Sequence, residues 1–303
     1  MHSITLRAEP RRGITFVSIS GILWGTIGIA AQAIYQQSEV SPLAVGFYRL
    51  ALGFPVVALA CWYIVGKDAF KVKRRHYLKM AFIGVMLALY QVAYFSAIGY
   101  VGVTIATLIT LCTAPVIVSL SSVIFLKEAL TQYTLGALTL AVFGTGLLIG
   151  TPEAVGNLNH LFIGIGLSLI SAIGYAAVAL LSRSLAGVCH PIHSTTVSFS
   201  VGALILLPLV LFGGATNHYS VEVWGLLLYL GLVPTALGYI LFFLGINYIK
   251  ASTASILTML EPLVAICLAW LLFSERLSPV STIGGVLLFV AIAVLYKGEK
   301  ALH

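Results

Sequence analysis

The chain has 303 residues, 60% of them hydrophobic and 8% charged, with a mean hydropathy of +1.07. A soluble domain carries about 25% charged residues, so this composition excludes a soluble domain of any size and points to a polytopic membrane protein. The net charge of +7 would suggest nucleic acid in a soluble protein. Here the cations sort by loop position, and no nucleic-acid partner is expected.

Residues 1–13 are polar and basic, and the apolar run behind them lacks a small-residue cleavage pattern. That reads as a cytoplasmic N-terminal segment and a first transmembrane helix rather than a cleavable signal. A span needs about 20 mostly apolar residues. Ten stretches qualify: 14–35, 42–66, 77–98, 104–126, 132–150, 161–182, 191–213, 223–247, 253–273 and 280–296. Residues 297–303 follow as a short tail. The expected fold is therefore an all-α polytopic membrane protein of ten transmembrane helices joined by short connections.

Lysine and arginine give the orientation. With the N-terminus inside, 14 of the 16 cations are internal, including Arg11, Arg12, Lys71–Arg75, Lys79, Lys127, Arg183 and Lys250. Arg276 falls outside and Arg49 within a span. The positive-inside rule then places both termini in the cytoplasm, which independently supports an even helix count. The run 71–75 (KVKRR) is mainly a topology signal, with a lipid-headgroup site as the alternative. Cys61, Cys112, Cys189 and Cys267 are scattered singly, without metal-ligand or redox spacing. No metal and no cofactor is expected.

Two stretches repeat. Thr104–Thr131 and Ala251–Ser278 superimpose at a shift of 147 residues, which lays Pro115 on Pro262 and Glu128 on Glu275. Pro42 and Pro191 open the second and seventh spans at nearly the same spacing. The halves, 14–150 and 161–296, thus hold five spans each, and five is odd, so the second half sits inverted relative to the first. Inverted repeats around a central cavity are an architecture of secondary transporters. Pro55, Pro115, Pro208, Pro234 and Pro262 lie inside spans and should kink them, as fixed curvature or as hinges.

Polar and aromatic side chains at mid-span are the candidate site. Trp24, Tyr90, Tyr94, Tyr175 and Tyr239 stand away from the interfaces where such residues gather. Either they wall a cavity for apolar or aromatic cargo or they pack helices together. Thr104, Thr107, Thr110 and Thr113 form a stripe on the fourth span and Thr253, Ser255 and Thr258 decorate the ninth. They serve close helix packing or line a polar route. Gln91 and Asn247 are further hydrogen-bonding candidates for a zwitterionic cargo.

Two charges fall inside spans. A charge at a helix centre costs on the order of 3 kcal/mol, so Arg49 and Glu261 are functional candidates. Arg49 has the options of snorkelling to the surface or pairing with Glu39 or a helix C-terminus. Glu261 has no counterpart in the repeat, where Ala114 stands, and its readings are a structural hydrogen bond, an ion pair or proton exchange.

With these residues in view, the chain resembles the drug/metabolite transporter superfamily, and within it the ten-span proteins with two EamA domains. The likeness rests on Gly21-Ile-Leu-Trp-Gly25, on Arg49, and on the paired segments Pro115–Glu128 and Pro262–Glu275. The resemblance implies a bacterial inner-membrane carrier that exports amino acids or other small metabolites, with the aromatic amino-acid exporters as the nearest branch. The partners expected are a small-molecule substrate and the lipid bilayer; a monomer is compatible with the sequence, which does not fix an oligomeric state. One intramembrane arginine is few for a phosphorylated cargo, which argues against a sugar-nucleotide carrier. An enzyme would want paired acids or a Ser-His pair in the spans, but His160, His190, His193 and His218 lie in or beside expected loops or near a span end. A carrier of another small metabolite or drug, or a channel-like membrane protein, is the remaining alternative.

Overall fold

A computed structural model describes residues 9–67, 72–149, 158–212, 219–273 and 278–301. Lys71, His218, Glu275 and Arg276 lie outside them, as does the side chain of Thr104. Every regular element among the described residues is helical.

Helix α1 (Pro10–Gln37) opens on a proline, and α2 (Pro42–Ile64) opens on another, behind Ser41, whose hydroxyl accepts from Ala44 N. Then follow α3 (Arg74–Ser121), which ends in a π-turn at Ser122–Leu126, α4 (Gln132–Ile149), α5 (Leu158–Ser184) and α6 (Pro191–Phe212). The second half continues with α7 (Val221–Leu230), a π-helical segment Gly231–Leu237, and α8 (Gly238–Gly245). It closes with α9 (Ala251–Leu257), α10 (Leu260–Phe273) and α11 (Pro279–Ala301).

Among the described residues, eight helical stretches are long and apolar enough to cross a bilayer, and Gln132–Leu148 and Ala251–Ala265 are shorter apolar helices. Four expected spans differ from the plain helices that the sequence predicts. The third and fourth share the single helical run α3, and Tyr94 Oη meets Thr107 Oγ1 at 2.6 Å across that run. Thirteen residues of straight helix would separate these positions by about 20 Å, so α3 bends sharply between them, in the stretch that contains Gly99 and Gly102.

The eighth expected span is continuous but widened around Pro234, which has no N–H to close an α-helical turn. The ninth breaks at Thr258–Met259. Pro262 cannot donate to Thr258 O, and that carbonyl instead takes Glu261 N at 3.0 Å, in a tighter turn. Pro55, Pro115 and Pro208 stay inside uninterrupted helices.

Packing joins the two ends of the chain. Helix α1 lies along α8, α9 and α10, because Gly13 admits Tyr248 and Gly245, while Gly21 and Gly25 admit the carbonyls of Leu257 and Glu261. The expected first-span motif is thus a close helix crossing, with Trp24 between its two glycines. Helix α5 seats both limbs of α3: Gly174 faces Tyr90, Gly164 faces Val101, and Thr110 donates to Ser168 O. Helix α6 bonds to α2 through Thr196 and to α3 through Ser198. Helices α4 and α11 cross at Gly144 and Gly284.

Arg12, Lys79, Lys127, Arg183 and Lys250 all sit at one end of the bundle. Lys79 Nζ donates to Ser184 Oγ, Lys250 Nζ donates to Ala129 O, and Gly13 of α1 meets Ile249 there. Gly298, near the end of α11, meets Tyr133 at the start of α4. The first and last helices therefore begin and finish at that same end.

Candidate functional site

A line of side chains crosses the middle of the bundle. At one end is Arg49 of α2, 7% exposed, whose Nε donates to Thr235 Oγ1 at 3.0 Å. Next to Thr235, the carbonyl of Pro234 accepts from Trp24 Nε1 at 2.9 Å. The widened turn around Pro234 supplies both partners. Ser20, one turn before Trp24, donates to Gly238 O and fixes α1 against the same segment.

The Trp24 ring lies 5.0 Å from that of Tyr239, centre to centre, and 5.4 Å from Phe242. Tyr239 and Tyr90 share a hydroxyl–hydroxyl bond of 2.7 Å. The Tyr90 ring meets Tyr175 edge-on at 6.2 Å, and Tyr175 Oη is 2.8 Å from Thr258 Oγ1. Since Thr258 gives its proton to Ser255 O, the tyrosine donates in that bond. Glu261 follows one turn after Thr258, at the start of α10.

The line therefore runs from a cation on α2 to an acid on α10. Both halves supply its members. Arg49 and Glu261 feel each other's charge, and Glu261 also acts on Tyr90, Tyr94 and Tyr175. No direct ion pair joins the two. Arg49 takes neither of the partners expected for it, Glu39 or a helix end, and turns inward instead.

Other expected members fall nearby or elsewhere. Tyr94 is bonded to Thr107 beside this line. Gln91 is 4% exposed, donates to Leu87 O, and holds an unpartnered Oε1 against Gly46, one turn before Arg49. Thr110 is spent on the α3–α5 contact. Asn247 lies at the cation-bearing end, where Nδ2 donates to Phe243 O and Oδ1 accepts from Gly187 N at 2.7 Å. Pro115 is inside α3, and Pro262 is buried beside Glu261.

A second ionic group closes the cation-bearing end. Arg183, 2% exposed, donates from Nε to Glu128 Oε1 at 2.8 Å and from Nη1 to Ile246 O at 3.2 Å. Glu128 Oε2 accepts from Ala251 N at 3.0 Å. One ion pair thus ties the ends of α3 and α5 to the turn between α8 and α9. Lys127 just before it is left-handed at φ 55°, which turns Glu128 back under the bundle. From the sequence alone, Arg183 counts among the loop cations and Glu128 as a repeat feature. An arginine closing an otherwise apolar span, with an acid just past another, was the signal available.

The EamA-like transporter family model matches residues 11–150 and again 162–297. The chain belongs to the EamA-like transporter family. It is similar to the uncharacterized transporter YwfM of Bacillus subtilis (strain 168), with 29% identity covering 94% of each chain. An uncharacterized transporter of Archaeoglobus fulgidus is 30% identical over 95% of this chain and 97% of the relative. The pseudopaline exporter CntI of Pseudomonas aeruginosa is 26% identical over 91% and 93%. A solved crystal structure shares the fold, with a TM-score of 0.79 and 18% identity over 96% of this chain and 98% of that one. The protein is a multi-pass membrane transporter rather than an enzyme.

Proposed function

We propose that this EamA-like protein is a secondary transporter that exports amino acids, aromatic or apolar ones among them, or related small metabolites across the bacterial inner membrane by alternating access. The observation that carries this reading is the line Trp24–Tyr239–Tyr90–Tyr175, placed mid-bundle by helices of both halves. Aromatic walls with hydroxyl tips suit a cargo that is partly apolar and partly polar.

In this reading ten helices span the membrane as two inverted five-helix repeats, 14–150 and 161–296. Its support is crosswise packing. Gly84 of α3 packs on Gly202 of α6, and Gly231 packs on Gly53 of α2. Each partner lies almost one repeat length from its counterpart in the other contact. On α4, Ala137, Ala141, Gly144 and Leu148 stand 147 residues before Gly284, Leu288, Ala291 and Leu295 of α11. Gly144 and Leu148 meet Gly284, and Gly144 meets Leu288, where the helices cross.

The cation-rich end is the cytoplasmic one by the positive-inside rule, which puts both termini in the cytoplasm. The Arg183–Glu128 group then holds the inner side shut, and loading from the cytoplasm requires it to part. A second reading, export of a metabolite that is not a standard amino acid, is favoured by the likeness to the pseudopaline exporter.

Uptake of a panel of labelled amino acids into proteoliposomes tests the proposal. Saturable, counterflow-stimulated uptake is expected for some of them. Absence of flux for every solute offered would overturn it.

A further inference from the structure

Arg49 and Glu261 have a feature that packing does not account for. Arg49 uses only Nε, on Thr235; its two terminal nitrogens have no hydrogen bond and are not sealed from open space. Both carboxylate oxygens of Glu261 are likewise without a hydrogen bond or ion pair, and likewise unsealed. Arg49 stands on a helix long enough to cross a bilayer and Glu261 on a shorter apolar one, within reach of each other's charge yet not in direct contact. Leaving such charges unpaired is costly, and residues held only for stability close on one another, as Arg183 and Glu128 do. Tyr90, whose hydroxyl feels both charges, meets the Tyr175 ring edge-on and bonds to Tyr239.

Resting on the transporter reading above, we propose that Arg49 and Glu261 together read the two ends of a dipolar cargo: Arg49 binds a carboxylate, Glu261 binds an ammonium group, and the tyrosines take the side chain. The planar guanidinium offers its two free nitrogens as a fork that matches a carboxylate. The carboxylate of Glu261 suits the three N–H donors of an ammonium group. A molecule carrying one group of each kind neutralises both charges, whereas an amine or an acid of the same shape leaves one of them unpaired. The first half of the chain supplies the anion-binding end and the second half the cation-binding end. That division explains why the central acid has no counterpart at Ala114 of the repeat. Selectivity for net-neutral dipoles is then built into the asymmetry of the two halves.

The test uses proteoliposomes of the full chain and three probes of one shape: phenylalanine, phenethylamine and 3-phenylpropanoate. The wild type should prefer phenylalanine over either relative by about 10–100-fold, the worth of one charge-assisted hydrogen bond. Glu261→Gln should raise the ratio of phenylpropanoate to phenylalanine uptake, and Arg49→Gln the ratio of phenethylamine to phenylalanine. Equal loss of all three probes in each variant would overturn the assignment while leaving the transporter reading intact. Should a variant fail to fold, competition on the wild type decides: leucine should inhibit phenylalanine uptake at least tenfold better than phenethylamine or phenylpropanoate. Equal inhibition by all of them overturns the proposal. Saturable wild-type flux of some other solute, with none for these probes, would overturn the amino-acid reading itself and this inference with it.

Discussion

Arg183 and Glu128 meet at 2.8 Å with their other groups tied to Ile246 O and Ala251 N, whereas Arg49 and Glu261 stand apart with theirs untied. Both groups draw on both halves of the chain, and both lie in low-dielectric surroundings. The first is built as a buried ion pair must be if it is to hold, with good geometry and each carboxylate oxygen satisfied. The second, in the proposal above, is kept for a cargo that arrives. The contrast separates charge used to fasten helices from charge kept ready for cargo, which sequence position alone does not distinguish.

Breaking the fastened pair should produce the largest effect. Glu128→Ala leaves Arg183 buried and unpaired and should cost about 3–5 kcal/mol of stability, read as a lowered midpoint in denaturant or thermal unfolding of the detergent-solubilised protein. Removing both charges, with Glu128→Leu and Arg183→Met together, should cost less than the single change. About 1–3 kcal/mol should remain, because Ala251 N–H and Ile246 C=O lose their partners.

Within the open site the effects on stability shrink. Trp24→Phe keeps the ring contact with Tyr239 and deletes the bond to Pro234 O, for a loss of about 1 kcal/mol, measurable in the same unfolding assay. Glu261→Gln should cost nothing and should gain on the order of 1 kcal/mol, since a half-buried, unpaired charge becomes a neutral amide. A stability loss at Glu261 as large as at Glu128 would erase the contrast between the two groups.

Much of this was legible in the sequence, though unevenly. Apolar runs and their lengths give the helical membrane fold, and prolines mark the places where helices widen or break. What a proline does at its site depends on its neighbours. Pro234 widens a helix and Pro262 tightens a turn, whereas Pro115 leaves α3 continuous. The mid-span aromatics were visible as anomalies, and Trp24, Tyr90, Tyr175 and Tyr239 do come together. Thr235 was not visible, because a lone threonine in an apolar run has no periodicity to betray it. Asn247 and Thr110 looked like site residues for their polarity alone, and their bonds are spent on a loop and a helix contact. Arg183 was hidden by the positive-inside rule, which accounts for any cation at a cytoplasmic end without asking what it touches.

The central claim is that Arg49 and Glu261 are held apart for cargo, and ligand-induced stabilisation tests it most directly. Thermal unfolding of the purified protein should be followed with and without phenylalanine, in the wild type, Arg49→Gln, Glu261→Gln and Glu128→Ala. A ligand present at a hundred times its Kd adds about 2.7 kcal/mol. The wild type should gain that increment, Glu128→Ala should gain it from a lower baseline, and the two open-site variants should gain little or none. Equal stabilisation of all four proteins would contradict the account.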